Sequence, residues 1–264
     1  MSQSSDIQFN DGAAYERLMG RWSRKVGREF LRWCNVPAGG RWLDVGCGNG
    51  AFTEEIVAHA QPSAVQGIDP SPAQIDYARK RPGVGLARFD VGDAQALPYG
   101  NAEFDAAVMA LVIAFVPDPA KGVAELARVL KPGGLAATYM WDIPAGGVPT
   151  APFYRTLKQM GMDAAQPPSA EISAREPLER LWRGAGLADV EMTEFRITVH
   201  FIDFEDFWQA NTLPVGPQAA RIKALAPDQV DELKRRLREQ LKPAADGSIS
   251  YEAVANAVKG RKRG

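Results

Sequence analysis

Asp44 stands two residues before Gly46, and glycine recurs at Gly48 and Gly50. Ahead of them Trp42, Leu43 and Val45 form a short apolar run, and from Ala51 the pattern turns helical. Such a run suits a buried parallel strand, and a strand, a glycine turn and a helix make the first unit of a nucleotide-binding α/β sheet. The glycines let the backbone reach positive φ and let a ligand approach without meeting a Cβ. Asp69 follows 19 positions beyond Gly50. An acidic residue at about that distance, ending the second strand, is placed to hold ribose hydroxyls. A carboxylate accepts two O–H donors at once, which suits a vicinal diol.

A dinucleotide fingerprint, G-x-G-x-x-G/A, can be forced onto the turn by giving Ala51 the third place. The acidic residue before the first glycine and the tighter G-x-G-x-G spacing argue against it, although the turn alone also allows another nucleotide-binding Rossmann-like domain. Further on, Gly92-Asp93-Ala94 leads into Leu97-Pro98, and Lys131-Pro132-Gly133-Gly134 follows a helical stretch. With these four elements in order, the chain resembles the class I S-adenosylmethionine-dependent methyltransferases, in the small-molecule branch. The resemblance runs motif by motif over 15–142 and beyond that by element order.

The resemblance implies S-adenosylmethionine as cofactor, with S-adenosylhomocysteine as product, and a set of binding residues. Asp44, Gly46, Cys47 and Gly48 would meet the amino-acid moiety and sulfonium, and Asp69, Pro70 and Ser71 would lie at the ribose. Asp93, an acceptor for adenine's exocyclic amine, and Ala94, which leaves room for the flat ring, would seat the base. Ala110 and Leu111 at the fourth strand's end join the cofactor set. Tyr15 and Arg21, in helices ahead of the first strand, would close over the cofactor's carboxylate, a good partner for a guanidinium. Related chains often continue the fourth strand with histidines where this one has Ala114 and Phe115. No general base is therefore identified by position; Tyr139, Trp141, Asp142 and His200 are the candidates. No metal ligand set is expected.

The implied reaction moves a methyl group to an O, N or C nucleophile of a small organic molecule. Aromatic residues Trp141, Phe153, Phe207 and Trp208 would suit such an acceptor. The alternatives are a regulatory module that binds S-adenosylmethionine without methylating, and a nicotinamide dehydrogenase.

Several elements must position these residues. Helical periodicity over 13–36, interrupted at Gly20, predicts two short helices hinged there, with Val26, Phe30 and Trp33 on one apolar face. Strands are expected at 64–69, 85–90, 104–112, 135–141, 188–201 and 249–258. Helices are expected at 51–60, after Ser71 and Pro72, at 117–130, around Phe153 and Leu157, and at 177–186. The Lys131–Gly134 phrase reads as a helix stop. The resemblance implies a doubly wound, seven-stranded, mostly parallel α/β sheet of order 3-2-1-4-5-7-6, with the seventh strand antiparallel. Residues 1–36 would form a helical lid, 37–264 the Rossmann-like domain, and about 203–245 an insertion over the acceptor side.

At 264 residues, 45% apolar and 24% charged, the chain reads as an ordinary globular protein. A net charge of −1 leaves no footprint for nucleic acid or an anionic membrane. No signal peptide or membrane-spanning run is apparent. Cys34 and Cys47 make no disulfide framework, and Cys47 reads as a small filler in the turn. The expectation is a cytoplasmic protein, monomer or homodimer, without nucleic-acid or membrane partners. The basic stretch 259–263 reads as a solvated end.

Overall fold

A computed structural model describes residues 20–162, 166–212, 222 and 224–264, apart from the Arg21 side chain. Seven strands form one sheet in the order β3-β2-β1-β4-β5-β7-β6. Five neighbouring strands, from the β3 edge inward, are β1 (Arg41–Val45), β2 (Ala64–Asp69), β3 (Ala87–Val91), β4 (Phe104–Ala110) and β5 (Leu130–Trp141), all parallel. On the far side β7 (Ile249–Arg261) runs antiparallel to both β5 and β6 (Ala188–Phe201). The order and the reversed strand are those implied by the family resemblance. Buried parallel strands carry apolar side chains on both faces, as in β1, where the four residues after Arg41 are all buried.

Helix α1 (Arg21–Cys34) lies on one face, with α2 (Ala51–His59) beside it. Val26, Phe30 and Cys34 of α1 are buried in the core of that face, and Arg28 pairs bidentately with Glu55 of α2. Burying side chains such as Val26 and Phe30 contributes about 1.5–3 kcal/mol each. A lid spanning 1–36 is therefore not an independent unit, because 21–34 are part of the sheet's own packing. Gly20 itself has helical φ and ψ of −58° and −39°, and the first of the two helices expected to hinge there lies outside the described residues. Residues 1–19, with Tyr15, lie outside the described residues.

The opposite face carries α4 (Pro119–Val129) and α6 (Arg175–Gly184), whose Leu178 and Trp182 enter the second core. Helix α3 (Pro72–Ala78) begins with Ser71 as N-cap, its Oγ accepting from the Gln74 N–H, and Pro72 in the first turn. Three further helices, α5 (Ala151–Gln159), α7 (Phe204–Asn211) and α8 (Pro227–Leu241), gather beside the β6–β7 ribbon.

Two expectations about boundaries fail for identifiable reasons. The helix does stop ahead of the Lys131–Gly134 phrase, at Val129, but the phrase is strand and not loop: β5 begins at Leu130 and carries it through a register irregularity opposite Phe104 and Ala106. The basic stretch is not a solvated end either. Lys259 lies within β7, donates to the Trp33 carbonyl at 3.1 Å and sits over the Trp33 ring. Lys262 Nζ donates to the carbonyls of Arg128 and Leu130. Long basic side chains bury their stems while the charged head finds oxygen.

Candidate functional site

The carboxyl ends of β1, β2, β3 and β4 meet at one rim. Gly46 and Cys47 both donate their N–H to the Ile68 carbonyl of β2, which folds the turn after β1 against its neighbour. Gly46, Gly48 and Gly50 have φ of +73°, +51° and +79°, a region costly for residues with a Cβ. Their surroundings differ. A Cβ on Gly46 would lie 2.5 Å from both Val112 methyl groups, whereas one on Gly48 would meet nothing within 4 Å among the described residues. Gly46 thus serves packing, and Gly48 leaves a face of the turn open.

Asp44 at the end of β1 is fully buried. Its Oδ2 accepts from Thr53 Oγ1 at 2.6 Å, while Oδ1 has no hydrogen-bond partner among the described residues. Burial pushes this carboxyl up to about 7; the Thr53 hydrogen bond opposes the rise and the nearby Asp69 charge adds to it. An unpartnered buried carboxylate oxygen is costly and suits a cationic or hydrogen-bond-donating ligand. Asp69 is half-buried at the end of β2. Its Oδ1 accepts from the Ser71 N–H and its Oδ2 from the Gly48 N–H, each at 2.9 Å. Burial raises this carboxyl too, against those two hydrogen bonds. Each oxygen has a second lone pair, so a pair of hydroxyl donors can still be accepted.

The Gly92 N–H donates to the Asp69 carbonyl, which sets the loop carrying Asp93 and Ala94 beside β2. Asp93 is exposed and accepts from the Gln95 N–H at 2.8 Å. On the other side, Leu111 follows β4 with φ of +62°, a strained value for a branched residue. Its turn brings Val112 onto Gly46. Ala110 and Leu111 are half-buried, Pro70 is exposed, and Cys47 is buried with its thiol raised well above the usual range by desolvation. Cys47 Sγ packs towards Gly67, so it fills space as expected.

Of the candidate catalytic groups, Tyr139 is enclosed in the core, its ring 4.7 Å from that of Phe30 and 5.9 Å from that of Phe52. Asp142 accepts from the Ala145 N–H and from Asn256 Nδ2 at 3.0 Å, so it braces a turn. His200 is exposed on the edge strand β6, with Nδ1 2.9 Å from Ser250 Oγ, and β7 separates β6 from β5. These three are engaged elsewhere. Trp141 ends β5 almost fully buried, and its indole Nε1 has no partner among the described residues. The Arg21 side chain and Tyr15 lie outside the described residues.

Sequence reasoning missed Thr53, Gln95, Glu125 and Arg128. Gln95 acts on Asp93 from two residues away, whereas Thr53, Glu125 and Arg128 reach a motif residue or its loop through contacts that no local spacing signals.

A family model described as a methyltransferase domain matches residues 43–138. Over 129 residues the chain is 38% identical to the demethylmenaquinone methyltransferase of Deinococcus radiodurans, covering 48% of this chain and 52% of that one. It is 31% identical over 183 residues to the O-methyltransferase cnsE of Penicillium expansum, covering 67% and 60% respectively. The chain thus spans about half the length of the curated relatives it matches. In fold it is similar to the YcgJ protein of Bacillus subtilis, with a TM-score of 0.61 at 18% identity, over 92% of this chain and 99% of that one. Among the described residues no helix is long and apolar enough to cross a membrane. The domain match spans β1 to β5 and the strand order agrees, so residues 43–138 carry a methyltransferase domain, similar to those of the class I S-adenosylmethionine-dependent enzymes.

Proposed function

We propose that this chain transfers a methyl group from S-adenosylmethionine to a small organic acceptor at the carboxyl rim of β1, β4 and β5. The observation that carries the reading is the arrangement of Asp44, the open face of Gly48 and Asp69 around one turn. The unpartnered Asp44 Oδ1 fits an ammonium, the free side of Gly48 admits close approach, and Asp69 retains lone pairs for two ribose hydroxyls. Asp93 and Ala94 would take the adenine, and Ala110 and Leu111 would flank the cofactor from β4. Tyr15 would meet its carboxylate from the lid, and Arg21 from the first position of α1.

When bound, the cofactor supplies a methyl group on a sulfonium whose leaving group is a neutral thioether. The chain's part is to hold the two reactants in line and to exclude water, for which orientation can supply roughly 7–11 kcal/mol. Trp141, Phe153 and Phe207 lie in one apolar cluster beside the rim, and the Trp141 indole N–H is an unused donor for an acceptor oxygen. We assign no general base to Tyr139, Asp142 or His200, given their partners. One relative's name specifies demethylmenaquinone and another's an oxygen acceptor, which supports a small organic substrate and leaves an O, N or C nucleophile open.

Calorimetry with S-adenosylmethionine, S-adenosylhomocysteine and NAD tests the cofactor: the first two should bind and NAD should not. Transfer of labelled methyl to a panel of phenols, quinols, amines and acids tests the reaction. Cofactor binding without transfer to any of them would favour a regulatory module instead.

A further inference from the structure

The loop after β3 is fastened to α4 along much of that helix. Gln95 Nε2 donates to both carboxylate oxygens of Asp93 at 3.2 Å, and Gln95 Oε1 accepts from the Asp118 N–H at 3.0 Å. Asp118 is the N-cap of α4. Farther along, the Leu97 N–H donates to Glu125 Oε2 at 2.8 Å, and the Leu97 carbonyl accepts from Arg128 Nη2 at 2.9 Å. Arg128 Nη1 donates to the Tyr99 carbonyl at 2.8 Å and to Asn101 Oδ1 at 3.1 Å. The remaining Arg128 donors, Nε and Nη2, pair with Glu125 Oε1 and Oε2 at 2.7 and 2.8 Å. A guanidinium has five N–H donors in a fixed fork, and all five are used here.

We propose that Glu125 and Arg128 are positioning residues that set the base selectivity of the cofactor site, by fixing the height of the loop that carries Asp93 and Ala94. The proposal rests on the reading that those two residues seat adenine. Asp93 is exposed, and its side-chain contacts are to Gln95, so its place depends on where the rest of the loop is held. A hydrogen bond to an exocyclic amine weakens steeply with distance and angle. Losing the fork would release Leu97, Tyr99 and Asn101 together and free the Glu125 carboxylate. Lysine, a point charge without the planar fork, cannot replace these bonds.

The test compares binding of S-adenosylhomocysteine with its inosine counterpart, in which a carbonyl oxygen replaces the exocyclic amine, using the full chain. Wild type should favour the adenine form by roughly tenfold or more. Arg128→Lys and Glu125→Gln should lower that ratio by about threefold or more while melting stays cooperative, and Arg128→Met should lower it further. Asp93→Asn should collapse the ratio, and adding Arg128→Lys to it should change the ratio no further. A merely structural role would weaken both ligands alike. An unchanged ratio in Arg128→Lys and Glu125→Gln overturns the proposal, even if Arg128→Met fails to fold. Wild type that binds both forms equally overturns the adenine seat, and wild type that binds neither overturns the cofactor reading itself.

Discussion

The Gly48 N–H donates to Asp69 Oδ2 at 2.9 Å, joining the turn after β1 to the end of β2. Through this bond the residue proposed for the ribose also sets the backbone proposed for the amino-acid moiety. The two halves of the proposed cofactor site are therefore built as one unit. Asp69 Oδ1, held by the Ser71 N–H, is tied at the same time to the N-cap of α3.

Asp69→Ala should weaken S-adenosylhomocysteine binding by more than the loss of the ligand contacts alone, because the turn loses its anchor as well. Hydrogen bonds to charged groups contribute about 1.5–3 kcal/mol each. Asp69→Asn keeps one oxygen acceptor and should fall between Ala and wild type. Calorimetry on the three proteins checks the order, and equal affinities would remove Asp69 from the site.

Gly46 and Gly48 should separate fold from binding. Gly46→Ala forces a Cβ into the Val112 methyl groups and should lower stability by about 1–3 kcal/mol through overpacking, besides the strain of its φ. Gly48→Ala meets no atom of the described residues within 4 Å and should cost only that strain, roughly 1–2 kcal/mol, while binding is lost to a larger degree. Melting curves and calorimetry on both variants decide it. Normal binding by Gly48→Val would show that the ligand approaches elsewhere.

Asp44 gives a pH signature to the ligand-free protein. Its carboxyl is raised from 3.8 to about 7, chiefly by burial, so the folded state holds a proton that the unfolded state has released. The associated stability is fully present below pH 3.8 and is lost as pH rises through about 7. Asp44→Asn should remove this dependence and, at pH 8, be more stable than wild type by on the order of a few kcal/mol. It should nevertheless bind S-adenosylmethionine more weakly. Denaturant midpoints from pH 4 to 8, taken as a difference between the two proteins, measure the effect; parallel curves would refute it.

Two truncations locate the lid. Removing residues 1–19 should weaken cofactor binding and leave the melting temperature nearly unchanged. Removing 1–34 should abolish cooperative folding, because Val26, Phe30 and Cys34 go with it, as does Trp22, which packs edge-on against Phe201. Full affinity in the shorter truncation would dismiss Tyr15 as a ligand contact.

Much of this was legible where chemistry is local. The bounds of β2 and β6 follow from apolar or alternating runs between turn signals, and the cofactor motifs lie next to strand ends. What was not legible depends on partners distant in sequence. Asp142 reads as a free carboxylate until Asn256, on β7, is seen to donate to it. Lys259 reads as part of a solvated tail until Trp33 supplies both a carbonyl and a ring. Arg128 reads as one more surface charge on α4, since nothing near it in sequence shows that the loop around Leu97 passes within reach.

The placement of β7 has a consequence for how the chain is made. It is later in sequence than every other strand, yet it lies between β5 and β6. While the ribosome is still extending the chain, β1 to β5 can assemble from one contiguous stretch, but β6 emerges with no strand to pair with. Until residues 249–261 arrive, β5 presents an open edge, the kind of surface that draws intermolecular pairing. The proposed cofactor turn can thus exist on the nascent chain before the wall beside it, and ligand captured at that stage would favour the productive half-sheet by mass action.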